Sequence, residues 1–573
     1  MFCLAVRIGQ NQRLINVKIP ATSQKLRGGY YTPEIIAEFL ANWAIRHSET
    51  SVLEPSCGDG NILTAVVRVL EQHGARDETS PQSVWAVEID SVEAAKARKR
   101  LSATRGDLSL NIHDGDFFSF AREQLLMQTR YDAIVGNPPF IRYQNFQEEH
   151  RSVAFQIMEQ AGLRPTRLTN AWVPFIVTST LLLKEHGGRL AMVIPAELLQ
   201  VNYASELRLF LTNFYSRITL VTFRKLVFEG IQQEIVLLLG ERDGHIHTGI
   251  RTIELDSIDS LLTYEHEDFS FGELKSMDHS REKWTQYFLN QKEIDLLRSL
   301  RTDSRIAPAR RTIDVDVGIV TGLNEFFVLT KKQAEDRKIY DFTRPIVTRS
   351  AHLQGIYFSE DVLFENTNKQ LPARILMVPD AELNKLTLPL QDYIKEAESL
   401  GYHKGYKCRI RDKWYIVPSI WTPDAFMLRQ VHQYPKLILN TTKATCTDTI
   451  HRVRFVSNLP AKVVTAAFLN SLTFAFTEVM GRSYGGGVLE LEPNEAESLP
   501  LPLNNAENLD FEEISTLMNK GKIAEVLDIT DSVLLIKGHG LSRLDVTRLR
   551  SIWCKLRDRR VNRKYQKAAE VSV

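Results

Sequence analysis

The first 245 or so residues predict an α/β fold on a mostly parallel sheet, and three observations carry that prediction. Short β-prone runs alternate with helical segments of about ten to fifteen residues, which is the pattern of βαβ units. The first strand opens into a glycine turn and then a helix, as in loops that hold nucleotide-like ligands. The last two strands are joined too closely for a crossover helix, so the final one is expected to run antiparallel. A mixed α/β domain and a helical tail follow.

Little periodicity precedes Gly29, and Arg27-Gly28-Gly29 reads as a mobile loop. Tyr30-Tyr31-Thr32-Pro33 starts a helix, with Thr32 as N-cap and Pro33 at the first helical position. Ile35, Ile36, Phe39, Leu40 and Trp43 then recur at helical spacing. A strand over 51–53 leads into Glu54-Pro55-Ser56-Cys57-Gly58-Asp59-Gly60-Asn61 and an apolar helix over 62–70. Small residues in that turn let the backbone approach a ligand. The turn matches neither GxGxxG nor a GK[ST] loop, and its acidic residues would repel phosphate. They suit a cationic ligand with ribose and amino-acid parts, which S-adenosylmethionine supplies.

A second strand over 84–87 ends in Glu88-Ile89-Asp90. Glu88 is placed to accept hydrogen bonds from two ribose hydroxyls, while Asp90 caps the helix from Ser91. A third strand over 108–112 leads to Asp114-Gly115-Asp116-Phe117-Phe118. There Asp116 could accept an adenine amino group, with Ile89 and Phe117 on either side of the ring.

The fourth strand, Tyr131 to Val135, stops at Gly136 and delivers Asn137-Pro138-Pro139-Phe140. This tetrapeptide suits methylation of a planar amine. Such a nitrogen has two N–H donors and a lone pair delocalised into its ring, so it is a poor nucleophile. The Asn137 side-chain oxygen and the Pro138 carbonyl can accept both donors. Prolines at 138 and 139 fix φ and remove competing N–H groups. Phe140 offers a face for a flat substrate. A rigid Pro-Pro turn ending a strand is the competing reading of these four residues alone. Further on, 144–160 and 171–183 read as helices, 189–194 as a strand and 196–215 as one helix. Ile218 to Phe223 and Glu234 to Leu239 read as strands joined through Lys225-Leu226-Val227-Phe228-Glu229-Gly230.

Taken in order, TP (Thr32, Pro33), LEPSCGDG, VEID, GDFF, NPPF and VFEG resemble the gamma group of DNA adenine-N6 methyltransferases, the TaqI/Eco57I-like modification methylases. The resemblance implies a class I, Rossmann-like methyltransferase domain with S-adenosylmethionine as cofactor. It implies that Thr32 and Glu54 line the methionine end, with the backbone of Cys57, Gly58 and Gly60. Glu88 would take the ribose, and Ile89, Asp116 and Phe117 the adenine. Asn137 and Pro138 would hold the target amine, Phe140 would stack on the extruded base beside Pro139, and Phe228 would lie on or near its other face. The family often has Tyr where Phe140 stands, and stacking needs only the ring. Inside a duplex the amine is unreachable, so the base must be flipped out. Asn137 would act by orientation, since a carboxamide is no base at neutral pH. Direct displacement from a sulfonium needs no metal and no covalent enzyme intermediate.

The expected organisation is a catalytic domain over 1–245, a linker over 246–285, a DNA target-recognition domain over 286–503 and a helical region over 504–573. In the recognition domain Asp316 to Phe327 reads as strand–turn–strand and Gly481 to Val488 as a basic-aromatic loop; both resemble the specificity domains of that family. Tyr402 to Arg411 and Lys413-Trp414-Tyr415 interleave basic and aromatic residues, a pattern that suits phosphate and base contacts. The basic tail from Arg543 could meet phosphate, a partner subunit or only solvent.

Bulk properties narrow the rest. At 43% apolar and 25% charged, with a net charge of +1, the 573-residue chain has a globular composition and no apolar run long enough to span a bilayer. Its N-terminus lacks a secretory pattern, and five scattered cysteines without a CxxC pair fit a reducing cytoplasm rather than a zinc site. Duplex DNA is the expected partner, with a separately encoded endonuclease, and the chain is expected to be a monomer. Rival readings are a bifunctional enzyme with its own nuclease, and amine methylation of cytosine N4, RNA or protein glutamine. Methyltransferases for RNA and protein glutamine are generally shorter, cytosine-N4 enzymes more often have Ser or Asp in place of Asn137, and Glu273-Leu274-Lys275 is a weak nuclease pattern.

Overall fold

Eight strands form one sheet in the computed structural model, in the order β3-β2-β1-β4-β5-β7-β6-β8. The structure describes residues 31–74, 83–104, 111–227, 234–242, 248–263, 272–280, 282–484 and 486–569. The loop at 27–29, residues 108–110, Phe228 and Gly485 therefore lie outside the described residues. Two units divide the chain, Met1–Gln291 and Lys292–Val573.

The first unit begins with α1 (Glu34–Ala44), then β1 (Val52–Glu54), α2 (Asn61–Gln72), β2 (Val84–Glu88), α3 (Ser91–Thr104), β3 (Ile112–Asp114), α4 (Phe117–Leu126) and β4 (Ala133–Gly136). It continues with α5 (Glu148–Gln160), α6 (Trp172–Leu181), β5 (Gly188–Pro195), α7 (Ser205–Phe214), β6 (Arg217–Phe223), β7 (Ile235–Arg242) and β8 (Gly249–Leu255). Strands β1 to β5 pair in parallel, and β7 runs antiparallel between β5 and β6, as the short connection requires. Central strands with both faces covered must be apolar throughout, and Ala133 to Gly136 are all buried. On one face α1 and α2 bury Ile36, Leu40, Leu63 and Val66 against Val52, Val135 and Val193. The opposite side holds an aromatic cluster in which Phe117 stacks on Phe175 and Phe118 meets both Phe146 and Phe175.

Three local expectations change. Pro33, not Thr32, is the N-cap of α1; its carbonyl accepts from Ile36 and Ala37, and the Thr32 side chain is used elsewhere. The expected single helix over 196–215 is broken into two 3₁₀ turns, Ala196–Leu199 and Asn202–Ala204, before α7. Buried Arg208 of α7 donates to the carbonyls of Leu198 and Val201, which a continuous helix would have used internally. The stretch expected to be a linker contains β8, which pairs in parallel with β6 along its whole length and buries Ile250 and Leu255.

In the second unit a five-stranded sheet carries Ile313–Val317, Ile450–Phe455, Ala425–Leu428, Leu437–Asn440 and Tyr357–Phe358 in that order. After Val317 the expected second strand is instead a helical turn, Asn324–Phe327, with Phe326 and Phe327 buried. Arg482–Tyr484 and Val488–Glu490 pair as a hairpin. The long helix Arg543–Ala569 packs on Ser471–Met480. Within its basic run Arg560 pairs with Glu478 at 2.5 Å, both buried, while Arg550 meets Asp528 and Asp531 and Lys555 meets Glu293. These three cations neutralise the unit's own carboxylates.

Candidate active site

Parallel pairing puts the C-terminal ends of β1, β2, β3 and β4 on one edge of the sheet, and the strand order reverses between β1 and β4. Open α/β sheets bind ligands at such a reversal. Glu54, Glu88, Asp116 and Asn137 all leave the sheet at this edge.

The turn after β1 is built on two glycines with different tasks. Gly60 has φ +83°, and a Cβ there would stand 3.0 Å from Ala97, so it permits the turn to pack on α3. Gly58 has φ +53°, a conformation that favours glycine, and open space where its Cβ would be. Gly58 N–H donates to Glu88 Oε2 at 2.8 Å, and Asp90 N–H to Glu88 Oε1 at 2.8 Å. Asp90 also accepts from Val92 N at 2.9 Å and caps α3 as expected. Asp59 points away to Arg100.

Glu54 is 1% exposed, and its Oε2 has no hydrogen-bond partner. Burial holds its carboxyl well above the usual range, and the nearby charges of Glu88 and Asp59 push it further up. An orphaned buried acid oxygen is costly unless a cation meets it. The turn therefore fits a cationic ligand and not a phosphate. Burial also pushes the Cys57 thiol up, with Glu54 and Glu88 adding to the effect, so it stays protonated.

Thr32 and Asn137 lie 105 residues apart in sequence and meet here. Asn137 Nδ2 donates to Thr32 Oγ1 at 3.1 Å, which turns the carboxamide oxygen to the other side. Asn61 Nδ2 donates to Thr32 O at 2.5 Å, and Ser56 Oγ to Asn137 O at 3.3 Å. Pro138 is buried, while Asn137, Pro139 and Phe140 are half-buried. Phe140 and Val227, the residue just before Phe228, pack against the same core cluster.

Ile89 is 58% exposed, whereas Phe117 is 3% exposed with one face against Phe175 at 5.0 Å. Asp116 caps α4 through Ser119 N at 2.8 Å, and its other oxygen lies 3.3 Å from His150 Nδ1.

Ser56, Asn61, His150 and a cluster behind the Asn-Pro-Pro-Phe turn escaped the sequence reading. Asn170 accepts from Tyr143 N at 3.2 Å and donates to Tyr203 OH at 3.0 Å, and Tyr203 OH donates to Glu197. Ala171 N–H donates to Ile141 O at 2.9 Å. The chain after Phe140 is thus pinned to the start of α6. The only sequence signal is a lone Asn ahead of an apolar helix.

A parallel-stranded sheet with an antiparallel β7, an acidic glycine turn and an Asn-Pro-Pro-Phe strand end defines a class I methyltransferase site. Comparison with known proteins narrows the class. Residues 15–298 match the family described as N-6 DNA Methylase, and residues 281–535 match the C-terminal domain of Type II methyltransferase M.Eco57I. Type II methyltransferase M.AccI of Acinetobacter calcoaceticus is 22% identical over 87% of this chain and 88% of its own. M.XamI of Xanthomonas campestris pv. amaranthicola is 23% identical over 84% and 86%. The Type IIL restriction-modification enzyme MmeI, solved with DNA, shares the fold with a TM-score of 0.56 at 12% identity, over 94% of this chain and 75% of that one. The chain belongs to the N6-adenine Type II DNA methyltransferases of restriction-modification systems, and its methyl donor is S-adenosylmethionine.

Proposed function

We propose that Asn137 and Pro138 hold the exocyclic amine of an adenine flipped out of duplex DNA, in line with the methyl group of S-adenosylmethionine. The observation that carries this reading is the Thr32–Asn137 hydrogen bond, which ties the amide to the cofactor side of the sheet edge. The bound cofactor supplies an electrophilic methyl on sulfonium. Glu54 meets its positive end, Glu88 the ribose, and Ile89 the adenine, with Phe117 backing that wall from the core and Asp116 near the amino edge. The backbone of Cys57, Gly58 and Gly60 frames the methionine part, and Thr32 acts there and on Asn137. Asn137 Oδ1 and Pro138 O accept the two amine protons and direct the nitrogen lone pair at the methyl group. Pro139 stiffens the turn, and Phe140 stacks on the flipped base. Phe228 closes the other face; Val227 packing on the same cluster as Phe140 supports this.

Flipping costs a few kcal/mol, and each good stacking contact offsets roughly 1–3 kcal/mol. Replacing the target adenine with 2-aminopurine reads the flipped state directly. Fluorescence should rise on adding the protein, and Phe140→Ala should lower the rise severalfold. No rise with the wild-type protein, at saturating DNA, would refute flipping.

The relatives M.AccI and M.XamI bear the name Type II methyltransferase, which supports a cognate endonuclease on a separate chain. One copy carries both the catalytic turn and the appended unit, which supports a monomer. Cys57, Cys408, Cys446 and Cys554 are free thiols, which supports a reducing cytoplasm. Among the described residues no single helix is long and apolar enough to cross a membrane.

A further inference from the structure

Two stretches of the second unit that stand apart in sequence, 318–327 and 402–411, form one surface. Gly322 has φ +84°, and a Cβ there would lie 2.8 Å from Lys407 Cβ, so only glycine allows this approach. Arg411 Nη2 donates to Val320 O at 3.0 Å. Cys408 is fully buried beneath the short helix Tyr406–Arg409 and fixes which side of it faces out.

What faces out is unusual for a solvated helix. Tyr406 is 65% exposed and Ile410 59%, one turn apart on the same side, with Val320 at 42% beside them. Around them Lys404, Lys407 and Arg409 are exposed, and among the described residues none of the three is paired with a carboxylate. Lys413, in the same basic stretch, is tied to Asp380 at 2.7 Å and Glu382 at 3.5 Å. Compensated charge therefore stands at the edge and uncompensated charge around the apolar tip. Residues 401–413 hold five Lys or Arg against the single acid Asp412. A polyanion whose grooves expose sugars and base edges complements this arrangement on both counts.

We propose that this face presses on duplex DNA, with Lys404, Lys407 and Arg409 on phosphates and Tyr406 and Ile410 against base edges and sugars of a groove. The proposal rests on the DNA-methyltransferase reading and assigns sequence discrimination to Tyr406 and Ile410.

The test uses full-length protein with saturating S-adenosylmethionine and two duplexes, one carrying the site that the wild-type protein methylates and one scrambled. Phosphate contacts steepen the salt dependence by about 0.9 each in log K against log salt. The triple change Lys404→Ala, Lys407→Ala, Arg409→Ala should make the slope shallower by about 2–3 on both duplexes. The pair Tyr406→Ala, Ile410→Ala should weaken the methylated-site duplex roughly tenfold and leave the scrambled one unchanged. Unaltered S-adenosylmethionine affinity and thermal unfolding verify the fold, and Lys407→Gln alone should lower the slope by about 0.9 should the triple variant unfold. A wild-type slope in the lysine and arginine variants, or wild-type discrimination without Tyr406 and Ile410, overturns the proposal. Methylation of DNA by the wild-type protein stands apart from these outcomes, so failure of this face is distinguishable from failure of the enzymatic reading.

Discussion

At the scale of residues, the proposed chemistry depends on orienting one carboxamide and burying one acid. Thr32 fixes Asn137 through a single hydroxyl, a bond worth about 0.5–1.5 kcal/mol. Thr32→Val should therefore lower kcat by roughly three- to tenfold with little change in the Kd for S-adenosylmethionine, and Thr32→Ser should restore it. Equal losses in both quantities would place Thr32 on the cofactor alone. Glu54 makes a pH prediction. Its folded carboxyl titrates above the usual range, so at pH below that raised value the free protein carries a proton that a bound cation should expel. Affinity for S-adenosylmethionine should rise with pH up to that raised value, and Glu54→Gln should flatten the rise by comparison. The same sign applies to stability. Ligand-free protein should lose stability as pH rises from the ordinary carboxylate range through the raised value, and Glu54→Gln should remove that loss. Calorimetry across pH 4–8 on both proteins checks it. Asn137 and Glu54 could be read from sequence because each sits where a strand ends in a small-residue or proline turn. Asn61, Ser56 and Asn170 could not, because one polar side chain carries no pattern until its partners are folded around it.

At the scale of elements, β4 delivers the Asn-Pro-Pro-Phe turn proposed to be catalytic, and the start of α6 holds it. Asn170 accepts from Tyr143 N, and Ala171 N–H donates to Ile141 O, so the segment after Phe140 is anchored at two points. Asn170→Ala should reduce kcat about tenfold and weaken the 2-aminopurine signal, while S-adenosylmethionine affinity holds. Unchanged turnover would show that the anchor is dispensable. Strands and helices with strong period were legible: β1, β2, β4, β5 and β6 fall within a few residues of their expected places. The break inside 196–215 was hidden, since its apolar spacing is helical and only buried Arg208 draws the carbonyls away. Strand β8 was hidden for a different reason. Gly-Ile-Arg-Thr-Ile-Glu-Leu looks half-polar, and pairing with β6 is what buries it.

At the scale of the whole chain, one unit carries the residues proposed to hold the cofactor and the target amine, and the other carries the DNA-facing surface proposed above. The order of motifs gave away the first unit because Glu54, Glu88, Asp116 and Asn137, all proposed site residues, follow the ends of strands β1 to β4 of one parallel sheet. The second unit was far less legible. Its sheets pair distant segments, and Arg550, Lys555 and Arg560 of the basic tail are spent on internal ion pairs. The central claim is that Asn137 directs a methyl group onto adenine N6 in DNA. Its most direct test is nucleoside mass spectrometry on adenine-unmethylated plasmid DNA, treated with S-adenosylmethionine and either wild-type protein or Asn137→Ala. N6-methyladenine as the sole new nucleoside, reduced at least a hundredfold in the variant, is the predicted result. N4-methylcytosine, or N6-methyladenine at wild-type level in Asn137→Ala, would contradict it.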